Sequence, residues 1–308
     1  MKKFKVLIFG SNGLVGSSLK HYLQNSKKVS LVIPSTRQDT DLKNKIDIKN
    51  IIEKHQPDYV VNCAAKVGGI YANNTFRSEF LIDNLKINLN LFDIIKNFKN
   101  ISVINLGSSC IYPLNAPNPI KESSFLEGKL EPTNSPYAIA KITGIELGKE
   151  IHKEYGNNII NLMPTNLYGP NDNFSEWNSH VIPGLIFRMH KAKLEKESVF
   201  RIWGSGKPLR EFMYVDDLSH CIEFLIGKKL DHNLINVGTG EEISILNLAL
   251  ILKEIIGFQG DIETNSEMPD GNPRKLLDSS IINSLGWKSS INLKTGLEKT
   301  YTWYVDNL

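Results

Sequence analysis

Short runs of consecutive apolar residues alternate with longer stretches in which apolar residues recur at helical spacing. The runs predict buried strands at residues 5–9, 29–33, 58–63, 101–106 and 159–163. The longer stretches predict helices at residues 14–23, 78–98 and 134–155. Continuous apolar strands separated by helices are typical of βαβ units, in which a parallel sheet is covered on both faces. The first half of the chain is therefore predicted to form a doubly wound parallel sheet.

The alternation becomes less regular after about residue 170, where prolines interrupt it. We expect two units: a Rossmann domain over residues 1–170 and a smaller α/β substrate lobe over residues 171–308. A strand-like apolar run at residues 234–237 makes the segment at about 211–240 a candidate for a return to the Rossmann sheet.

The composition is that of an ordinary folded protein. With 41% apolar residues and a net charge of +3 spread without runs, the chain is neither disordered nor marked by a nucleic-acid footprint. Its apolar runs are far shorter than the roughly 18 residues of a membrane span. Three cysteines are too few for a disulfide framework and share no metal-binding spacing with the histidines, so we expect a reducing, cytoplasmic setting and no metal.

A glycine-rich turn lies directly between the first predicted strand and the first predicted helix. It reads Gly10-Ser11-Asn12-Gly13-Leu14-Val15-Gly16. Glycines let the backbone turn tightly and approach a pyrophosphate, and the helix N-terminus adds amide donors and a favourable dipole. This placement predicts a dinucleotide site at the first βα junction.

The end of the second predicted strand bears on which dinucleotide binds. An NAD site usually carries an acidic residue there for the ribose 2′-hydroxyl. Here the chain reads Ser35-Thr36-Arg37, with no carboxylate before Asp39. A cation at Arg37 beside two hydroxyls suits a 2′-phosphate, so the sequence favours NADP.

A Tyr/Lys pair follows the fourth predicted strand. Tyr137 and Lys141 are four residues apart on one helical face, and they form the only Tyr-x-x-x-Lys in the chain. We expect the ammonium to lower the pKa of the phenol, which can then give a proton to a carbonyl oxygen. Ser108, just after the fourth strand, is placed to hydrogen-bond the same oxygen.

These motifs together resemble the extended short-chain dehydrogenase/reductase superfamily. Longer strings narrow the resemblance to the GDP-L-fucose synthases, and they occur in one order over nearly the whole chain. The strings lie at residues 64–70, 72–74, 107–113, 130–134, 163–170, 178–183, 203–206, 210–212 and 270–275.

The resemblance implies NADPH-dependent 3,5-epimerisation and C4-keto reduction of GDP-4-keto-6-deoxy-D-mannose to GDP-L-fucose, a step in nucleotide-sugar biosynthesis for surface polysaccharide. The C4 ketone acidifies the protons on C3 and C5, so a base and an acid are needed. The resemblance assigns these roles to Cys110 and His180, and assigns reduction to Tyr137 and Lys141. If the segment after the fourth strand stays extended, Cys110 and Ser108 point the same way, toward the sugar.

The same resemblance implies the binding residues. The cofactor would also contact Leu106, Gly107, Lys141, Pro164, Asn166, Leu167 and His180. The GDP-sugar would be held by Arg188, Trp203, Arg210 and Asp270. A homodimer is implied, formed through helices at about 84–98 and 136–155. One position departs from the family, because Asn12 stands where a basic residue is usual.

Two other functions remain open at this stage. The chain could be a C4 reductase alone, acting on another GDP-4-keto sugar such as a 6-deoxyheptose. A non-catalytic NADP-binding regulator is disfavoured because the Tyr137 and Lys141 pair is intact. A sugar-nucleotide dehydratase is also disfavoured, since Cys110-Ile111 replaces the Asp-Glu pair that such enzymes carry after the serine.

Overall fold

The computed structural model describes residues 2–230, 232–265, 267 and 270–308. Helices and strands alternate through its first 168 residues. Its strands are β1 (Phe4–Phe9), β2 (Val29–Ser35), β3 (Tyr59–Asn62), β4 (Ser102–Leu106), β5 (Ile159–Pro164), β6 (Asn166–Tyr168), β7 (Val199–Trp203), β8 (Leu209–Tyr214), β9 (Leu234–Val237), β10 (Glu242–Ser244), β11 (Asp261–Asn265) and β12 (Arg274–Lys275). Its helices are α1 (Leu14–Gln24), α2 (Lys45–His55), α3 (Ile70–Thr75), α4 (Arg77–Ile95), α5 (Ser135–Tyr155), α6 (Val181–Leu194), α7 (Val215–Leu225), α8 (Ile245–Ile256), α9 (Ser280–Ser284) and α10 (Leu293–Asp306).

Six strands form one parallel sheet in the order β2-β1-β3-β4-β5-β9. Successive residues of β1 face opposite sides: Val6 and Ile8 pack with α1 and α7, whereas Leu7 and Phe9 pack with α2 and α4. Both faces are therefore buried, which explains why the strands are continuously apolar. The predicted doubly wound fold is confirmed.

The later part of the chain divides between two places. Strand β9 pairs with β5 at the edge of the six-stranded sheet, and α7 packs on α1. Strand β8 lies between β10 and β12 and also pairs with β6, while β7 pairs with β11. These strands share a second apolar core with α6, α8 and α10.

A chain of buried asparagines crosses the middle of the large sheet. The Asn62 amide donates to Asn105 at 3.2 Å, and the Asn105 amide donates to Asn161 at 2.9 Å. The Asn161 amide then donates to the carbonyl of Asn233, just before β9. Because buried polar groups need hydrogen-bond partners, these asparagine side chains link β3, β4, β5 and the start of β9.

Helices α4 and α5 pack along each other on one face of the sheet. Both helices are long, but no helix in the described ranges is both long and apolar enough to cross a membrane. The carboxyl ends of β1, β4 and β5 and the first turns of α5 meet at one edge of the sheet, where ligands bind in this architecture.

Candidate active site

The glycine-rich turn places backbone atoms unusually close together. Gly10 has φ +75°, and a Cβ on Gly16 would lie 2.1 Å from the Gly10 carbonyl oxygen, so both positions require glycine. Gly13 caps α1, whose first amides remain available to a ligand. The buried Ser11 hydroxyl has no hydrogen-bond partner among the described residues. This cradle and orphaned hydroxyl fit the diphosphate of a dinucleotide.

The turn after β2 holds its own carboxylate. Asp39 accepts from the Thr36 backbone at 2.8 Å and from the Thr36 hydroxyl at 2.7 Å, and these bonds lower the pKa of Asp39. Arg37 and Asn12 are both exposed. The first carboxylate after β2, Asp39, is thus bonded within its own turn, and the exposed Arg37 guanidinium belongs to the same turn.

The segment after β4 does not stay extended, so the expectation about its side chains is wrong. Ser108 is extended, but Ser109–Ile111 forms a 3₁₀ turn. The Ser108 hydroxyl accepts from the Cys110 backbone amide at 3.3 Å and thereby caps that turn. Burial raises the pKa of the Cys110 thiol, and the ammonium groups of Lys275 and Lys141 oppose the shift.

Helix α5 brings Tyr137 and Lys141 against the end of β4. Lys141 is buried and donates to the Leu106 carbonyl at 2.7 Å, with its ammonium 5.7 Å from the centre of the Tyr137 ring. Burial lowers the pKa of Lys141 to about 8. Burial also raises the pKa of Tyr137, with Cys110 acting in the same direction. The expected lowering of the phenol pKa is therefore wrong for this chain, and Tyr137 is protonated at neutral pH.

The remaining residues expected near the nicotinamide follow β4 and β5. A Cβ on Gly107 would lie 2.1 Å from the Met163 methyl carbon, so glycine is needed at this close approach. Pro164 ends β5 beside β9, and Leu167 packs against the sheet core. The Asn166 amide donates to the Glu211 carbonyl at 2.8 Å, which links β6 to β8.

His180 occupies the N-cap position of α6, makes no side-chain capping bond and is exposed. The nearby Asp172 has one buried carboxylate oxygen without a partner in the part of the chain that the structure describes. Burial raises the pKa of Asp172, and His180 opposes that shift. His180 is thus exposed to solvent and close enough to Asp172 to act on the pKa of that carboxyl group.

Two of the predicted GDP-sugar residues contact each other. The Arg188 guanidinium lies 4.7 Å from the centre of the Trp203 ring, and burial lowers the pKa of Arg188 to about 10. Trp177 also stacks on Trp203, with ring centres 5.3 Å apart. Trp203 is half-buried, whereas Trp177 is 47% exposed and presents the larger free surface.

The other two GDP-sugar residues carry opposite charges that act on each other's pKa. Asp270 accepts from the Ser205 backbone and hydroxyl, and these bonds lower its pKa. Burial lowers the pKa of Arg210, and Asp270 opposes the shift. Within the described ranges, no three His, Cys, Asp or Glu side chains gather closely enough to hold a metal ion.

Sequence reasoning missed two residues of this region. Lys275 is buried enough to lower its pKa, and it lies near both Cys110 and Arg210. Trp177 was not predicted because the matching segment that contains His180, residues 178–183, begins one residue later. Lys275 belongs to a string of the resemblance, which was the available signal. Only the register of β12 beside β8 places it opposite Arg210.

A doubly wound sheet with a glycine cradle, a buried Lys beside a Tyr and a Ser after β4 defines a nicotinamide-dependent enzyme of the dehydrogenase/reductase type. The sequence profile of the NAD dependent epimerase/dehydratase family matches residues 6–238. A relative from Arabidopsis thaliana named GDP-L-fucose synthase 1 is 44% identical over 307 residues, covering 100% of this chain and 95% of the relative. The chain therefore belongs to the NAD dependent epimerase/dehydratase family and, within it, to the GDP-L-fucose synthases.

Solved structures agree with this placement. A GDP-L-fucose synthetase from Naegleria fowleri bound to NADP has a TM-score of 0.91 and 28% identity, covering 100% of this chain and 94% of that one. A GDP-6-OMe-4-keto-L-xylo-heptose reductase from C. jejuni has a TM-score of 0.91 and 32% identity, covering 100% of this chain and 99% of that one.

Proposed function

We propose that this chain converts GDP-4-keto-6-deoxy-D-mannose to GDP-L-fucose by epimerisation at C3 and C5 and NADPH-dependent reduction at C4. The observation that carries the proposal is the position of Cys110. Helix α5 packs against the 3₁₀ turn that holds this thiol, so an extra acid/base group lies beside the Tyr/Lys pair that reduction needs.

The cofactor is NADP(H), bound by the turn at residues 10–16. Asp39 is held by Thr36, so it is poorly available to a ribose 2′-hydroxyl. Exposed Arg37 offers a forked cation to a 2′-phosphate instead. Asn12 adds a hydrogen-bonding group without charge. The NADP in the N. fowleri structure supports the same preference.

Epimerisation requires a proton to leave each carbon and another to return on the opposite face. Cys110 and His180 exchange these protons, since thiol and imidazole have ordinary pKa values nearest to neutrality. The raised pKa of Cys110 favours its role as the proton donor. The Tyr137 hydroxyl and Ser108 stabilise the enolate oxygen at C4.

Reduction uses the same ketone oxygen. NADPH supplies the hydride to C4. Tyr137, protonated at neutral pH, gives its proton to the oxygen, while Lys141 stabilises the resulting phenolate. Lys141 is held for this role by the Leu106 carbonyl.

The substrate lies between two units that divide near residue 170, with the cofactor on residues 1–170 and the GDP-sugar on residues 171–308. Arg188 and Arg210 bind the diphosphate through forked donors. Asp270 accepts from sugar or ribose hydroxyls, and Trp203 packs at its edge against the ligand. Two copies of the chain associate as a homodimer through α4 and α5.

A second candidate is a C4 reductase acting on another GDP-4-keto sugar, such as a 6-deoxyheptose. The observation that favours it is the similarity to the C. jejuni heptose reductase over the whole chain. Retention of Cys110 and His180 favours the epimerising enzyme.

NMR of GDP-4-keto-6-deoxy-D-mannose in heavy water separates these functions. Incubation with the enzyme alone is expected to place deuterium at C3 and C5, and adding NADPH is expected to yield GDP-L-fucose. Reduction without deuterium at either carbon would identify a C4 reductase. No NADPH oxidation with any GDP-4-keto sugar would indicate a non-catalytic binding protein.

A further inference from the structure

The Gly68-Gly69 turn, between β3 and α3, contacts the loop that leads to His180. The Gly69 amide donates to the Asn178 carbonyl at 3.2 Å. A Cβ on Gly69 would lie only 2.2 Å from the Ser179 carbonyl oxygen. The backbone of Gly69 is ordinary, with φ −69°. Glycine is therefore required here by the close approach of the His180 loop and not by the local conformation.

Other contacts hold this turn in place from its own side. The buried Asn73 amide donates to the Gly68 carbonyl at 2.7 Å and to the Gly69 carbonyl at 3.0 Å. Just before the turn, the Asn84 side chain bonds both the amide and the carbonyl of Lys66. The turn is thus a fixed surface anchored to α3 and α4.

Aromatic rings make a second contact along the same boundary. The Tyr71 ring, two residues after Gly69, lies 5.7 Å from the Trp177 ring. Trp177 in turn stacks on Trp203 at the end of β7. The loop that leads to His180 therefore contacts the Gly68-Gly69 turn through Asn178 and Ser179, and α3 through Trp177.

We propose that Gly69 is a positioning residue that sets the location of the His180 imidazole for proton exchange. The His180 side chain makes no capping bond to α6, so its place follows from the backbone that carries it. The residue before it, Ser179, presses its carbonyl against Gly69. This inference rests on the function proposed above, because it assumes that His180 exchanges a proton with the sugar.

The variant Gly69→Ala tests the proposal. A methyl group at this position requires the Ser179 carbonyl to retreat by about 1 Å, and a displacement of that size costs on the order of 100-fold in a catalytic step. We expect deuterium exchange into GDP-4-keto-6-deoxy-D-mannose, measured without NADPH at saturating substrate, to fall by about that factor.

Single-turnover oxidation of GDP-L-fucose by NADP⁺ measures the other step, because it transfers a hydride from C4 and needs no epimerisation. We expect Gly69→Ala to lower this rate at least tenfold less than it lowers exchange, because His180 contacts the cofactor but exchanges no proton in this step. The matched control is Gly68→Ala, whose methyl would lie 2.9 Å from the Ala72 Cβ and 3.2 Å from the Phe80 ring. Its strain therefore falls on α3 and α4, while the Asn178 carbonyl of the His180 loop is in ordinary contact at 3.5 Å. Gly68→Ala should keep the wild-type ratio of exchange to oxidation.

The proposal is overturned if Gly69→Ala lowers the exchange rate and the oxidation rate by the same factor. It is also overturned if the exchange rate of Gly69→Ala equals that of Gly68→Ala. If Gly69→Ala does not fold, Trp177→Ala replaces it, because this half-exposed side chain can be removed without opening the core. It should lower exchange relative to oxidation, and an unchanged ratio would count against the proposal. A wild-type enzyme that performs neither step would instead refute the proposed function.

Discussion

The buried ammonium of Lys141 gives the reduction step a pH dependence. Its pKa lies at about 8, so the protonated fraction falls about tenfold for each pH unit above that value. Tyr137 stays protonated over this range because burial raises its pKa. We expect kcat/KM for reduction to fall with apparent pKa near 8, since this parameter reports the free enzyme.

Arginine keeps its charge beyond pH 12, so Lys141→Arg should remove that basic limb even if the rate is lower. If kcat/KM of Lys141→Arg still falls above about pH 8, the titrating group is not Lys141. The lowered pKa of Lys141 also contributes a rise in folding stability between about pH 8 and the ordinary lysine value of 10.5, because the unfolded chain binds more protons at this group over that range.

Two single-atom changes separate the chemistry of Tyr137 from that of Cys110. Tyr137→Phe removes the proton donor for reduction and should lower hydride transfer by about 10²–10⁴-fold. Deuterium exchange should fall by a smaller factor, because Ser108 still donates to the enolate oxygen. Cys110→Ser should do the reverse, because a hydroxyl is a far weaker acid than a thiol. The NMR and single-turnover assays measure both steps, and equal losses in the cysteine variant would contradict this division of roles.

The hydrogen-bonded side chains of Asn62, Asn105 and Asn161 connect four strands of the large sheet. Asn105→Ala leaves the Asn62 amide and the Asn161 carbonyl oxygen without their partner. Each unsatisfied buried group costs about 1–3 kcal/mol, so we expect a loss of about 2–5 kcal/mol in the free energy of unfolding. Urea denaturation measures it, with the exposed Asn97→Ala as the control. A loss below about 1 kcal/mol would mean that water replaces the missing amide.

The sequence predicted the large sheet well because its strands are buried on both faces and so are continuously apolar. It missed α2, which buries only Ile48 and Ile52, although the Asn44 side chain that caps this helix was a usable signal. The 3₁₀ turn at Cys110 was missed because the Ser108 hydroxyl competes locally for a backbone amide.

Most of the candidate site could be named from motifs, but its contacts could not be predicted. The approach of Ser179 to Gly69 joins positions more than 100 residues apart. Cys110 is likewise far in the sequence from Lys275, whose ammonium acts on the pKa of the thiol. Such contacts depend on how residues far apart in the sequence pack together, and no local pattern encodes that arrangement.

At the scale of the whole molecule, α4 and α5 present apolar side chains to solvent. Ile82 and Leu89 on α4 are 48% and 45% exposed, and Ile139 on α5 is exposed to a similar degree. The two helices pack along each other, so a second copy can pair the same face with itself about a two-fold axis. Such pairing would form a four-helix contact between subunits.

We therefore predict that light scattering at micromolar concentration gives twice the chain mass of 34.7 kDa. Leu89→Lys places a charge in the centre of this face and should yield a folded monomer, because an unpaired charge buried between subunits is costly. The matched control is Leu250→Lys on α8, which changes a residue of similar exposure, 47%, away from this face. A wild-type mass of one chain, or dissociation caused only by Leu250→Lys, would show that α4 and α5 do not form the dimer contact.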